Sequence, residues 1–287
     1  MISQAELLNR IQSLPTLSLT VARLAALLRD VNTTANDIEK VLTPDPALTG
    51  NILKIVNTAY FAPRREVTSV RQAIVLMGHE NLFEAAASSA FHGILPDRLP
   101  GYDLDAASFW QHSVAVAVLG QNLARDLSRE ATGLIFTAGL LHDLGKLAIC
   151  SFLLEAPEEI ALYLAEEGND FAGAERWALG MDHAEVGGKL AETWQLPETI
   201  ACAARWHHQP DAAPSDVDHS LVDIVHVADC LAHTLGFGAD VGGLARRVES
   251  GVTDRLGIQS QDLENLTATA MEQILEMGRV FRPQAVA

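Results

Sequence analysis

Aromatic residues are scarce in this chain, at 6% of 287 positions, although hydrophobic residues make up 48%. The apolar content is therefore mostly Ala, Leu and Val, which suits packed helices more than sheets and is too high for a disordered chain. Cysteine is nearly absent. Cys150, Cys202 and Cys230 are odd in number and form no CxxC pair, which argues against a disulfide scaffold and for small buried thiols in a reducing compartment. Basic residues are also short: 20 Lys and Arg face 37 Asp and Glu, for a formal net charge of −17. Nucleic acid and anionic membrane are poor partners for such a chain, because both attract Lys and Arg. No apolar run reaches the about 18 residues of a membrane span, and "MISQAELLNR" lacks the basic start and apolar core of a signal peptide. A soluble, cytoplasmic protein is expected. An acidic chain that handles phosphate would need metal ions to offset the repulsion.

Helical periodicity runs through almost the whole sequence. Leu17, Val21, Leu24 and Leu28 share one stripe; Leu48, Ile52, Ile55, Val56 and Ala59 share another, with Pro46 suited to a first helical turn. "SVRQAIVLM" reads as a shorter helix ending at Gly78, followed by "ENLFEAAASSAFHGIL". "LPDRLPGYDLD" is rich in Pro, Gly and Asp and reads as a linker. Beyond it, helices are expected over 105–127, 131–143, 157–168, 170–180, 183–195, 197–208, 218–235 and 260–281. The expected class is all-α and two-lobed: an N-terminal helical lobe over 1–100, a second helical lobe over 101–240, and C-terminal helices over 241–287 packing on the module. There is no internal repeat, no low-complexity tract and no clear strand alternation.

Ten histidines are present, eight of them beyond residue 100. His112 shares a stripe with Phe109, Val116, Leu119 and Leu123. His142 shares one with Leu134, Ala138 and Leu141. His183 opens a helix with Val186, Leu190 and Trp194 on its inner face. His207 follows Ile200, Ala203 and Ala204, and Asp229 sits among Val222, Val225 and Ala232. A lone inward histidine is ordinarily a satisfied core residue. Five helices in one lobe doing the same thing is different, because each unpartnered buried polar group costs about 1–3 kcal/mol. Convergence on a shared divalent ion solves this, since imidazole and carboxylate ligate Zn, Fe, Mn or Ni. The adjacent pairs His142–Asp143 and His207–His208 point about 100° apart if helical. Both members of a pair reach one site only at a helix end, or each serves a different ion. Two ions about 3.5–4 Å apart, bridged by one carboxylate, would use both pairs.

The order His112, His142–Asp143, Asp229 resembles the HD superfamily of metal-dependent phosphohydrolases, and the added His183 and His207–His208 resemble its two-metal branch, which includes the HD-GYP phosphodiesterases. The whole chain is similar to HDOD proteins, through "LPTLSLTVARLAALL", "LTPDPALTGNILKIVNTAYFAP", "SVRQAIVLMGHENL", "HAEVGGKLAETWQLPETIACAARWHH" and "IVHVADCLAHTLGFG". The resemblance implies that His112, His142, Asp143 and Asp229 hold one ion. It implies that Asp143, His183, His207 and His208 hold the other, with Asp143 bridging. Lys146 matches the lysine of the HD-x-GK motif, which would face a substrate phosphate; equally, it reads as a cation closing a helix after Gly145. HD-GYP enzymes follow the double histidine with an acid and a Gly-Tyr-Pro loop. Here "HHQPDAAPSD" has Gln209 and no such loop, which argues against cyclic-dinucleotide hydrolysis of that type.

Two functions are therefore expected. One is a bacterial-type HDOD signal-transduction module that retains a mono- or binuclear HD metal site and acts on a regulatory protein partner. The alternative is an active phosphohydrolase or phosphodiesterase using a metal-bound hydroxide on a phosphate-containing small molecule, with Lys146 and Asp143 as its catalytic groups. His226 and His233 flank Asp229 and could orient ligands or simply fill the core.

Overall fold

Capping chemistry sets where the helices begin. The computed structural model describes residues 19–28, 32–58, 60–127, 133–166, 170–217, 219–238 and 247–280, with Leu7, Asn9 and Asp30. The first helices are α1 (Leu19–Leu28), α2 (Ala35–Leu42), α3 (Pro46–Val56) and α4 (Val70–Gly93). Asp45 caps α3 by accepting from the Leu48 N–H, with Pro46 in the first turn, and Ser69 caps α4 through the Gln72 N–H. Leu48, Ile52, Ile55 and Val56 all point into the core, so the apolar stripe of α3 is a packing face. Each such side chain contributes about 1.5–3 kcal/mol relative to exposure. Gly78 interrupts α4 with φ 82° and ψ 175°, which a residue without Cβ adopts freely, so the expected stop at Gly78 survives as a break inside one longer helix.

The second set is α5 (Ala106–Asp126), α6 (Gly133–Leu141), α7 (Lys146–Ile149), α8 (Pro157–Leu164), α9 (Phe171–Leu179), α10 (His183–Thr193), α11 (Glu198–Trp206) and α12 (His219–Thr234). It is followed by α13 (Ser250–Leu256) and α14 (Ser260–Arg279). Every residue from His112 to Ala124 is buried, the signature of a helix surrounded by others. Helix α5 packs on α6, α12 and α14, and α6 packs in turn on α4, α11 and α12. The expected face of the last helix is present, with Leu266, Ala270, Ile274 and Met277 buried and Leu263 partly so. Leu17 and Ala59, expected on apolar stripes, and the expected helix ends at 131, 168, 218 and 281 lie outside the described residues. Among the described residues, the stretch apolar and long enough to cross a membrane is Leu134–Glu155, and 89% of its most apolar window is buried in the protein.

The stretch expected to be a linker is structured. Arg98–Leu99 (β1) pairs antiparallel with Leu104–Asp105 (β2) around a 3-10 turn at Pro100–Tyr102. Leu99, Tyr102 and Leu104 are buried. Composition hid this, because Pro, Gly and Asp also build tight turns.

Candidate metal centre

Both adjacent pairs fall at helix ends. Helix α6 stops at Leu141 and α11 at Trp206, with His207 closing the last turn through the Ala203 carbonyl, so each pair straddles a helix end and both of its members reach one nest. His112 reaches it from α5, His183 from the first position of α10, and Asp229 from α12. Asp182 caps α10 and forms a capping box with Glu185, which fixes the start of the helix that presents His183.

Asp143 lies between two groups of histidines. Its Oδ2 is 3.5 Å from His112 Nε2 and 3.4 Å from His142 Nε2, while its Oδ1 is 3.2 Å from His183 Nε2 and 3.7 Å from His207 Nε2. Asp229 Oδ1 is 3.2 Å from His112 Nε2 and 3.6 Å from His142 Nε2. Ligating atoms of His112, His142 and Asp229 lie within 4.8 Å of one another, as do those of Asp143, His183, His207 and His208. The structure thus brings together all seven residues expected as ligands. Six of them are buried, and His208 is half-buried.

The second ring nitrogens explain why the inner ones all face the nest. His112 Nδ1 lies 2.5 Å from the Phe237 carbonyl, His142 Nδ1 2.7 Å from the Gly139 carbonyl, and His207 Nδ1 2.8 Å from the Ala204 carbonyl. A carbonyl only accepts, so each Nδ1 carries a proton and each Nε2 is turned toward the nest, where it can ligate once it is free of its own proton. His183 Nδ1 lies 2.6 Å from Glu175 Oε2, the same oxygen that accepts from the His183 N–H at 2.7 Å. Glu175 is fully buried and also accepts from the Tyr102 hydroxyl at 2.6 Å. Carboxylates and carbonyls that orient ligand histidines in this way are the usual surroundings of a bound metal.

Without an ion, protons on the histidines and the ammonium of Lys146 offset the carboxylates of the nest. Burial pulls the His112 pKa down, but hydrogen bonds and charge from Asp143 and Asp229 outweigh it and raise it to about 9. For His183, burial is outweighed by Glu175 and Asp143, again to about 9, and His142 is raised despite burial by Asp143 and Asp229. Asp143 is held well below the carboxylate range: burial opposes this, but Lys146 and His142 prevail. His207 is pushed well below its ordinary value by burial and by His142. Its buried Nε2 has no hydrogen-bond partner and lies 3.7 Å from Asp143 Oδ1. A donor-free lone pair facing a carboxylate is what a divalent ion would satisfy, so these residues fit such an ion.

Lys146 does not close α6. It opens α7, and Gly145 is right-handed at φ −62°. Its Nζ sits 2.7 Å from Asp143 Oδ2 and 5.3 Å from the centre of the Tyr102 ring. Gly145 is required by proximity: a Cβ there would stand 1.8 Å from the His183 carbonyl oxygen. Two further histidines have roles the sequence left open. His226 Nδ1 lies 2.7 Å from the His207 carbonyl, supporting the backbone between the paired histidines. His233 Nε2 is 3.4 Å from Asp229 Oδ1, with its ring against His112. Sequence reasoning did not single out Glu175 and placed Tyr102 in a linker. The helical phase of Glu175 beside buried Ala174 and Ala178 was the available signal.

A helical protein of the all-α class, with a short strand pair and a buried histidine–aspartate nest centred on one aspartate, is the class that fold and site define. The family model of the HDOD domain matches residues 14–210, and the chain belongs to the HDOD domain family. Among solved structures it is similar to an HDOD domain protein of unknown function from Geobacter sulfurreducens, with 26% identity, 96% of this chain and 95% of that one covered, and a TM-score of 0.75. A candidate phosphohydrolase from Shewanella amazonensis SB2B is similar at 26% identity, 97% and 98% coverage, and a TM-score of 0.74. An uncharacterized protein of Treponema pallidum (strain Nichols) is 25% identical over 215 residues, 74% of this chain; the match spans 41% of that relative's length.

Proposed function

We propose that this protein is an HDOD signal-transduction module whose histidine–aspartate nest holds one or two divalent transition-metal ions, and whose helix arrangement, fixed by that ion, is read by a protein partner. His112, His142, Asp143 and Asp229 would hold one ion and Asp143, His183, His207 and His208 the other. A bound ion supplies charge that joins five helices, and stabilisation of the folded state by mass action. Closure of the nest carries this reading. His142, Asp143 and His207 are 0% exposed, His183 and Asp229 1%, and Lys146 1%. A substrate would have to enter past His208, and the lysine expected to face a phosphate is paired with the HD aspartate instead.

A phosphohydrolase is the second reading, favoured by the complete ligand set and by the name of the Shewanella amazonensis relative. In that case Asp143 and the histidine Nε2 atoms would hold the ions, Lys146 would turn from Asp143 to a phosphate oxygen, and the burial of the nest would exclude bulk water. Turnover of phosphomonoesters and phosphodiesters by metal-loaded protein, measured beside Asp143→Ala, separates the two. The module reading expects stoichiometric ion and no turnover. Hydrolysis that disappears in Asp143→Ala would replace it with the enzyme.

A further inference from the structure

The loop between α3 and α4 takes no part in the metal nest, yet it is tied down on both sides. Asn57 Nδ2 donates to the carbonyls of Leu53 at 2.7 Å and Val67 at 2.8 Å, and Asn57 Oδ1 accepts from the Val67 N–H at 2.8 Å. One side-chain amide therefore holds both polar backbone groups of a residue ten positions on. Tyr60 donates to Gln121 on α5, and its ring lies 5.9 Å from that of Phe136 on α6. Between these anchors Ala62 has φ 41°, a left-handed conformation that costs a residue with Cβ about 1–2 kcal/mol. Strain of this kind, held by surrounding bonds, concentrates at functional sites.

What the anchored loop borders is a cleft of about 990 Å³, broadly open to solvent, with Leu53, Lys54, Asn57, Arg65, Val67 and Thr68 along it. Pockets that hold small molecules run to about 300–1,000 Å³. Lys54 and Arg65 are exposed in it, and neither forms an ion pair with a carboxylate among the described residues; Glu66 is the acid on the wall. The carbonyl end of α3, which would repel an anion, is partly neutralised, because Leu53 O accepts from Asn57 and Ile55 O accepts from the Thr58 hydroxyl at 2.7 Å. The wider field is also permissive. Residues 1–100 carry nine Lys and Arg against nine Asp and Glu, whereas residues 101–287 carry 11 against 28.

We infer that this cleft binds a small molecule bearing a multivalent anion of the phosphate class, held between Lys54 and Arg65 against the Asn57–Val67 clamp. The inference is independent of the metal nest. Its test is a titration of chelator-treated protein with sodium pyrophosphate and, separately, with ATP, at low ionic strength and without divalent ions. Heat and backbone amide shifts would be followed in the natural sequence, in Asp143→Ala and in Lys54→Gln/Arg65→Gln. Saturable binding is expected, with shifts centred on Asn57, Arg65 and Val67. It should be unchanged in Asp143→Ala and weaker by about tenfold or more in the double variant, as loss of charge-assisted bonds implies. Equal affinity for the two probes would mean recognition of the anion alone, and tighter ATP would mean that the walls read the rest of the molecule; both support the site. No saturation up to about 5 mM, undiminished binding in the double variant, or binding that disappears only in Asp143→Ala would overturn it.

Discussion

Of the polar side chains buried among the described residues, Glu84, Ser88 and Ser89 precede residue 100, and sixteen others follow it, including His112, His142, Asp143, Lys146, Glu175, His183, His207 and Asp229. The surplus of negative charge follows the same division, with nine basic and nine acidic residues in the first hundred and 11 against 28 after it. The early helices are held by apolar stripes such as Leu48, Ile52, Ile55 and Val56. The later ones converge on charge, and bring five elements to one point at which histidine rings and carboxylates face each other. Apolar packing is non-directional and tolerates adjustment. A buried polar nest is stable only when every member is satisfied. The two regions should therefore respond differently to ions, to protons and to single substitutions.

The largest difference is expected where backbone meets backbone. Gly145→Val places a Cβ 1.8 Å from the His183 carbonyl oxygen, so either α10 or the HD turn must move. A loss of about 3 kcal/mol or more in urea unfolding is expected, with bound metal lost as well. A Val at Gly93, where no atom lies within 4 Å of an added Cβ, should change little beyond propensity.

Proton dependence sharpens the contrast further. Without metal, His112 and His183 have folded pKa values of about 9, above their ordinary 6.5. Raised values mean stabilisation that is complete below pH 6.5 and lost as pH rises through about 9, by roughly 3 kcal/mol for each group taken singly. Asp143, depressed below 3.8, contributes throughout that window and does not oppose the trend. Metal-free protein should therefore lose thermal stability between pH 6.5 and 9. Metal-loaded protein should hold or gain it, because protons no longer compete with the ion. Parallel curves for the two forms would contradict the nest.

A smaller effect belongs to Glu175. Glu175→Ala leaves His183 Nδ1 without its 2.6 Å partner, and metal affinity should fall by about 10–100-fold while far-ultraviolet circular dichroism stays unchanged. The smallest lies on the other side of the comparison. Burial raises the Glu84 carboxyl to about 8 against the hydrogen bond from Gln121, so its contribution is lost as pH rises from 4.5 through about 8. Glu84→Gln should raise stability at pH 8 by about 1–2 kcal/mol with no change in metal content.

Much of the nest was legible because helical periodicity reports direction. Each of His112, His142, His183, His207 and Asp229 sits in phase with apolar neighbours, and each is buried. The helix starts at Pro46, His183 and Ser260 could be read because first-turn prolines and the onset of an apolar stripe are local signals. Contacts that cross the chain could not. Tyr102 and Glu175 meet 73 positions apart, and Gly145 meets His183 through a gap that only the packed fold defines. Lys146 offered two local readings, a lysine facing a phosphate and a cation closing a helix, and its pairing with Asp143 across one short turn is neither of them. The Pro, Gly and Asp of 95–105 were read as a linker, because composition does not reveal that Leu99 and Tyr102 are buried in a tight paired turn.

Metal content of the purified protein, measured by plasma mass spectrometry after reconstitution and desalting, tests the central claim most directly. One or two transition-metal ions per chain are expected for the natural sequence, and none for a folded Asp143→Ala variant, since that carboxylate lies between both histidine groups. A natural chain that retains no ion, or an Asp143→Ala chain that retains as many, would contradict it.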